Sequence, residues 1–137
     1  MRARGINDQG ACANFVETEQ LLFLEPGRSV PGDDAYVASL VLVRGSVPVF
    51  WTQRGGRVNP KPRLSRALPL CVPAFKRHAA ELREAYGGEP LLLSLLENRG
   101  DEADLGGALL RVCAEAGADL LPFDLRAACR PSQAAGG

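Results

Sequence analysis

The sequence predicts an α/β protein in which helices flank a mixed sheet. Two observations predict this class: strand, helix and strand patterns follow one another between residues 90 and 125, and two apolar runs near 13–24 and 35–44 have the composition of strands. A strand, a helix and a second strand in this order are what a parallel unit requires. With 137 residues, 46% of them hydrophobic, the chain has the size and apolar content of one globular domain or of a part of a larger one.

The balance of charge and hydropathy excludes several classes of function. Sixteen Lys and Arg residues match sixteen Asp and Glu residues, so the broad positive charge typical of nucleic-acid binding is missing, and we expect no nucleic-acid partner. No apolar run approaches the roughly 18 residues of a membrane span, and residues 1–10 do not resemble a signal peptide. We therefore expect a cytoplasmic location, either soluble or peripheral at membranes.

The cysteine and histidine content predicts no metal site, and we expect no cofactor. The four cysteines are widely separated and form no Cys-x2-Cys pair, the usual local signature of structural zinc. One histidine is too few for a histidine-rich metal site, and no Gly-x4-Gly-Lys phosphate loop is present. Reduced thiols are the expected state.

The first predicted element is a strand that begins near Ala13 and contains the stretch "NFVETEQ". Alternation places Glu17 and Glu19 on one face, separated by two strand rises, or roughly 6.6 Å. Carboxylates this close are unfavourable unless water or cations compensate them. Three interpretations follow: a hydrated face of an edge strand, a polar site in which the carboxylates position basic residues or a proton, and a glycosidase-like acid and base pair.

A second strand over 35–44 is expected to pair with the first in antiparallel fashion. The ten-residue loop between them, 25–34, contains two prolines and two glycines, a composition typical of turns. Gly45 and Pro48 then predict a bend into a short strand near Trp51.

Residues 54–73 are basic and rich in proline, and no helical or strand periodicity survives in them. We expect an ordered but irregular crossing that concentrates positive charge. Five cations carry that charge: Arg54, Arg57, Lys61, Arg63 and Arg66. The segment is interpreted either as a solvated loop or as a contact for an anionic ligand or lipid headgroup.

Apolar residues at helical spacing predict a helix over 73–86. Pro73 suits its first turn, and Gly87 suits its end. Because His78 lies beside the apolar stripe, we expect a packed or partly exposed side chain rather than a catalytic base.

The remaining segments predict the parallel unit. The run "PLLLSLLE" at 90–97 is continuously apolar, which is typical of a strand covered on both faces. A helix follows with Asp101 as its expected N-cap, and "ADLLPFDL" at 118–125 returns to a strand. The tail at 131–137 is too poor in apolar residues to order itself, so we expect it to be disordered.

Cys71 and Arg77 have the Cys-x5-Arg spacing of thiolate phosphatases, in which sulfur attacks phosphorus while loop amides and the arginine hold the phosphate oxygens. The residues between them argue against such a loop. Pro73 has no N–H to donate, no glycine eases a tight cradle, and Phe75 belongs to the helix stripe. We expect Cys71 to be a buried, inert thiol.

Three blocks of the sequence resemble a known family. The blocks "RGINDQGACANFVETEQ" (4–20), "VRGSVPVFWTQ" (43–53) and "PAFKRH" (73–78) are similar, in order and spacing, to the SAC-domain phosphoinositide phosphatases. Looser similarity extends the resemblance to about residues 4–126. The resemblance implies removal of phosphate from phosphatidylinositol phosphates through a phosphocysteine intermediate, formed on a "Cys-x2-Cys-Leu-Asp-Arg-Thr" type loop downstream of these blocks.

The resemblance also implies an organisation for the chain. Residues 1–130 are expected to be an incomplete part of a larger SAC catalytic domain, lacking its leading β-rich portion and its catalytic loop. The chain would then be a fragment or truncated form, inactive alone, whose complete domain acts on phosphoinositide lipids at a membrane surface. The alternative is a noncatalytic module that binds anionic lipid or a partner protein.

The family places the NFVETEQ strand and the "RGS" turn close to the catalytic pocket. The residues expected to support the pocket are Asn14, Glu17, Glu19 and Arg44. Because a carboxylate repels phosphate, Glu17 and Glu19 are expected to fix an arginine rather than to touch the ligand.

Overall fold

The computed structural model describes residues 4–24, 36–53, 60–97 and 99–129. Within these ranges the α/β class is confirmed, with the strands distributed over three two-stranded sheets and two longer helices packed on each other. The pairs are β1 (Val16–Leu24) with β2 (Tyr36–Arg44), β3 (Trp51–Thr52) with β4 (Arg63–Leu64), and β5 (Leu92–Ser94) with β6 (Leu120–Pro122). The helices are α1 (Leu68–Tyr86), α2 (Ala103–Ala116) and α3 (Leu125–Ala128), and a 3₁₀ turn at Gly100–Glu102 precedes α2.

Strands β1 and β2 form the predicted antiparallel pair, which we call the β1–β2 ribbon. Val16 lies opposite Arg44 at one end, and Leu24 lies opposite Tyr36 at the other. The β-branched and aromatic residues of both runs favour extended backbone. Both faces of the ribbon are nevertheless open, and Phe23 is 69% exposed. The loop at 25–34 lies outside the described residues.

The hydrophobic core lies where α1 and α2 pack against residues 49–51 and against the loop that precedes β1, residues 4–15, which we call the N-terminal loop. Phe75 of α1 and Val112 of α2 are each 1% exposed, and Val49 is fully buried. Ile6 joins the same cluster from the N-terminal loop. Burying a side chain such as Phe75 contributes about 2–3 kcal/mol, so this cluster is the main source of apolar stabilisation in the described part of the chain.

Helix α1 starts earlier than predicted, at Leu68 instead of Pro73. Pro69 occupies the first turn, where its fixed φ suits the helix and its missing N–H costs nothing. Pro73 lies inside the helix, where one backbone hydrogen bond is lost; the burial of Val72 and Phe75 on either side offsets this loss. The predicted end at Gly87 is confirmed, with φ of 74° at that glycine.

Strands β5 and β6, which are connected through α2, pair in parallel, as predicted. The expected burial on both faces was wrong, because Leu91, Leu93 and Leu95 are 54–66% exposed. Leu92 and Leu96 alternate with them and pack against the core. The continuous apolar run therefore has one covered side and one open side in the described ranges.

The start of α2 also differs from the prediction. Asp101 lies in the 3₁₀ turn, and Glu102 occupies the N-cap position. Among the residues that the structure describes, no helix is long and apolar enough to cross a bilayer. The tail at 131–137 lies outside the described residues.

Candidate functional site

The N-terminal loop is held against the start of the "SVPVFW" segment by backbone and hydroxyl hydrogen bonds. Gly5 N–H donates to Ser46 Oγ at 2.8 Å, and Ser46 N–H donates to the Ala13 carbonyl at 2.8 Å. Gly5 has φ of 74°, and a Cβ there would overlap the Val49 carbonyl oxygen and lie 2.9 Å from Trp51 Cδ1. Two blocks about 40 residues apart in sequence therefore form one structural unit that requires glycine at this position.

A turn at residues 7–11 brings this loop onto α1. The Asn7 Oδ1 atom accepts hydrogen bonds from the N–H groups of Gln9 and Ala11, at 3.0 and 2.9 Å. Gly10 has φ of 98°, and a Cβ on it would lie 2.9 Å from His78 N. Close packing of loop on helix depends on this glycine.

His78 lies at the junction of the loop, α1 and the ribbon. Its ring meets the ring of Phe15 edge to face, with centroids 6.4 Å apart. Burial lowers the pKa of His78, and this effect outweighs the opposing influence of Glu81 and of the hydrogen bond to the Gly10 backbone. The packed side chain agrees with the sequence prediction.

Glu17 and Glu19 share the face of β1 that the alternation predicted. Glu17 accepts a hydrogen bond from the hydroxyl of Tyr86, the last residue of α1. Glu19 Oε1 accepts one from Ser39 Oγ of the neighbouring strand at 2.6 Å. Both of these donors are hydroxyl groups, and the expected arginine partners of the two carboxylates stay a prediction. The hydrogen bond to Glu17 raises the pKa of Tyr86 because it favours the protonated phenol.

Asn14 and Arg44 do not join the two carboxylates on that face. Asn14 precedes β1 and has φ of 56°, in the left-handed region, so strand alternation does not extend to it. Arg44 is exposed and lies opposite Val16, on the face of the ribbon that turns away from Glu17. The structure brings together the two glutamates and places Arg44 on the other side.

Two of the three described cations of the basic segment, residues 54–73, form ion pairs with carboxylates. Arg54 and Arg57 lie outside the described residues. Lys61 Nζ is 2.6 Å from Asp101 Oδ1. Arg66 pairs with Asp8. Arg63 lines a groove between β4 and α2. Exposed pairs such as these contribute little to stability, but they reduce the positive charge presented to a ligand.

Arg66 bridges the N-terminal loop and the core. The two terminal guanidinium nitrogens donate to the Asp8 carboxylate, and Nη2 lies 3.1 Å from Oδ2. The same guanidinium lies 4.1 Å from the centre of the Phe50 ring, a cation–π contact. Hydrogen bonding and charge from Arg66 lower the pKa of Asp8. Arg66 thus has a structural role that its sequence neighbourhood did not indicate.

An open groove of about 510 Å³ lies between β4 and α2. Two arginines line it, Arg63 from β4 and Arg111 from α2, together with one carboxylate, Asp104. Apolar side chains, among them Leu64 and Leu105, form the rest of its wall. Arg111 was not among the predicted site residues, because a single cation on the polar side of an amphipathic helix carries no local signal.

Cys71 and Arg77 do not form a phosphatase cradle. Cys71 is fully buried on α1, whereas Arg77 is exposed. Six residues on a helix correspond to a rotation of about 240°, so the two side chains diverge. Burial also raises the pKa of Cys12 to about 12 and that of Cys113 to about 11, which makes both poor nucleophiles at neutral pH.

Within the described ranges, no three His, Cys, Asp or Glu side chains cluster in a way that would hold a metal ion. The candidate features are therefore the Glu17 and Glu19 face, at the C-terminal end of α1, and the arginine groove, beside β4. Helix α1 separates them, and its 19 residues span about 28 Å.

Comparison with known proteins identifies relatives over most of the chain. The family model described as the SacI homology domain matches residues 1–130. Human synaptojanin-2 is 42% identical over 110 residues, which are 80% of this chain and 7% of the relative. Rat synaptojanin-1 is 41% identical over 106 residues, 77% of this chain and 6% of the relative. The zebrafish phosphatidylinositide phosphatase SAC2 is 36% identical over 110 residues, 80% of this chain and 9% of the relative. The chain thus spans less than a tenth of the length of these relatives.

Proposed function

This chain belongs to the SacI homology domain family, and from that premise we propose that it is a fragment or truncated form of a phosphoinositide phosphatase. The observation that carries the proposal is the family match over residues 1–130, together with 36% identity to a relative named as a phosphatidylinositide phosphatase. Phosphatidylinositol phosphates are the proposed substrates of the complete enzyme. A cytoplasmic location at a membrane surface is part of the same proposal.

In this proposal the chain contributes structure around the pocket and another segment of the domain supplies the cysteine nucleophile. Burial of Cys71 and the raised pKa values of Cys12 and Cys113 support this division. A thiol attacks phosphorus as the thiolate. The raised pKa values of Cys12 and Cys113 disfavour that form, and Cys71 is fully buried and closed to an incoming phosphate. The 137-residue chain alone is therefore expected to show no turnover.

Glu17 and Glu19 are proposed to support the pocket from one side of β1. Each carboxylate is held by a hydroxyl donor, Tyr86 or Ser39, which limits its rotamers and leaves lone pairs for a further donor. A carboxylate repels phosphate, so its proposed partner is a cationic or water donor and not the substrate itself. Asn14 and Arg44 are proposed as further supporting residues, with Arg44 acting from the opposite face.

Phosphate release from phosphatidylinositol 4-phosphate tests the catalytic proposal. The 137-residue chain is compared with a longer version extended from its gene through a Cys-x5-Arg loop. We expect turnover only for the longer protein, with Cys71→Ala leaving its activity unchanged. Robust turnover by the 137-residue chain, abolished by Cys71→Ser, would overturn the proposed division of labour.

A second candidate function is a noncatalytic module that binds anionic lipid or a partner protein. The observation that favours it is the pair of exposed arginines beside an open groove, Arg63 and Arg111. Co-sedimentation with anionic vesicles, weakened by salt, is the expected result. Equal behaviour toward neutral and anionic vesicles would remove this candidate.

A further inference from the structure

The arginine groove between β4 and α2 carries more positive than negative charge among its lining residues. Lys61 and Arg66 are engaged by Asp101 and Asp8. Among the described residues, neither Arg63 nor Arg111 has an ion-pair partner. Two elements distant in sequence thus bring two arginine residues to one groove.

One carboxylate opposes this charge. Asp104 also lines the groove, so the lining carries a net charge of one positive unit from two arginines and one aspartate. The opposing charge makes a clear test possible, because removing Asp104 has the opposite effect on an anion from removing either arginine.

The groove also has the walls and the size of a ligand site. Leu105 is 4% exposed and forms part of the apolar wall, with Leu64 and Leu68 beside it. Charge-assisted hydrogen bonds are stronger next to apolar surface than in open water. The groove is open to solvent, and its volume of about 510 Å³ falls within the range of small-molecule sites, roughly 300–1,000 Å³.

We propose that this groove binds a phosphate monoester and that Arg63 and Arg111 are the residues that contact the phosphate oxygens. The planar guanidinium group matches two phosphate oxygens at once, and two such groups on neighbouring elements select an anion with several oxygens. The proposal gives the second candidate function a specific site, and it does not depend on the phosphatase activity of the complete domain.

NMR titration of the 137-residue chain tests the site. The probes are inorganic phosphate, a soluble inositol phosphate, and phosphatidylcholine vesicles with or without phosphatidylinositol 4-phosphate. We expect saturable shifts of the Arg63 and Arg111 side-chain N–H signals with the inositol phosphate. The vesicle arm shows whether a lipid headgroup reaches the same groove, and the inorganic phosphate arm shows whether the phosphate group alone is sufficient.

The variants sharpen the test. Arg63→Gln and Arg111→Gln are each expected to weaken binding about tenfold or more, the effect of losing one charge-assisted hydrogen bond, and Asp104→Asn is expected to strengthen it. Arg83→Gln is the matched control, because Arg83 is an exposed arginine paired with Glu89 on another part of the surface. All four positions are exposed, so the fold is expected to survive each substitution.

Two results would overturn the proposal. One is the absence of saturable binding for every phosphorylated probe by a chain whose spectrum shows it to be folded. The other is an equal loss of binding in Arg83→Gln, which would indicate attraction to overall charge rather than to the groove. Neither result bears on phosphate release by the longer protein, so failure of this site and failure of the catalytic proposal are separate outcomes.

Discussion

The β1–β2 ribbon and the core around α1 and α2 are both built from apolar runs, yet they differ in burial. The large apolar residues of the ribbon that face solvent range from 37% exposed at Val43 to 69% at Phe23. The core residues range from 0% at Val49 to 9% at Trp51. The local signal for burial is present in both regions, and only one of them has a packing partner within the described ranges.

This difference in burial indicates that the core stabilises the chain, whereas the two carboxylates, Glu17 and Glu19, lie on the exposed ribbon. Two-stranded hairpins are marginally stable without a packed face, so the ribbon depends on its ladder hydrogen bonds and on its junction with α1. Contiguous apolar surface of this kind marks a face that another segment or molecule covers. Glu17 and Glu19 lie on this less supported element, whereas the residues that hold the helices together lie away from them.

Substitution of one phenylalanine in the core and one in the ribbon tests most directly whether the two regions differ in burial. Phe75→Ala empties a fully packed position and is expected to lower the free energy of unfolding by about 3–5 kcal/mol. Phe23→Ala removes the same ring from the open ribbon and is expected to change it by less than about 0.5 kcal/mol. Urea denaturation followed by far-UV circular dichroism measures both. Equal losses would show that the ribbon is covered in solution.

Two glycines with the same backbone conformation separate strain from packing. Gly5 and Gly87 both have φ of 74°, but a Cβ on Gly5 meets Val49 and Trp51, whereas one on Gly87 meets nothing within 4 Å. Gly87→Ala is expected to cost about 1–2 kcal/mol from backbone strain alone, and Gly5→Ala about 3 kcal/mol or more because overpacking adds to it. Denaturation midpoints measure both. A larger loss for Gly87→Ala would contradict the observed packing of the N-terminal loop.

His78 links the core to the ribbon, and its titration reports on that junction. Because burial lowers its pKa in the folded state, the unfolded chain binds the proton more tightly. Stability is therefore expected to fall as pH decreases below about 6.5, the unfolded pKa, and to level off below the folded pKa. NMR of the single histidine gives the folded pKa directly. His78→Gln should remove this part of the pH dependence; an unchanged profile would assign it to other groups.

The Asp8 and Arg66 pair should have the smallest effect, since both side chains are exposed. The lowered pKa of Asp8 means that its contribution is present above about 3.8, the unfolded value, and is lost as pH falls through the folded value. Asp8→Asn is expected to reduce stability slightly at low salt and hardly at all at high salt. Denaturation midpoints at two salt concentrations measure it. A loss that persists at high salt would indicate that the pair acts through packing on Phe50.

The fold could be predicted largely because its signals are local. Runs rich in strand-forming residues predicted strands from about residue 13 and over 35–44, close to the observed β1 and β2, and Gly87 predicted the end of α1. The start of α1 was missed because its first two turns contain Pro69 and Pro73, which are typical of an irregular segment until the burial of the neighbouring residues is known. The shared face of the two glutamates followed from strand period, but their partners did not, because Tyr86 and Ser39 are 69 and 20 residues away.

The family, the α/β class and the shared strand face of Glu17 and Glu19 could be predicted from the amino-acid sequence, because each of these depends on the order and spacing of neighbouring residues. The folded chain was needed to show which apolar runs are buried, which cations pair with carboxylates, and that Arg63 and Arg111 share a groove. These properties depend on distances between segments that are remote in sequence. Such distances arise when the core closes, so no local pattern encodes them.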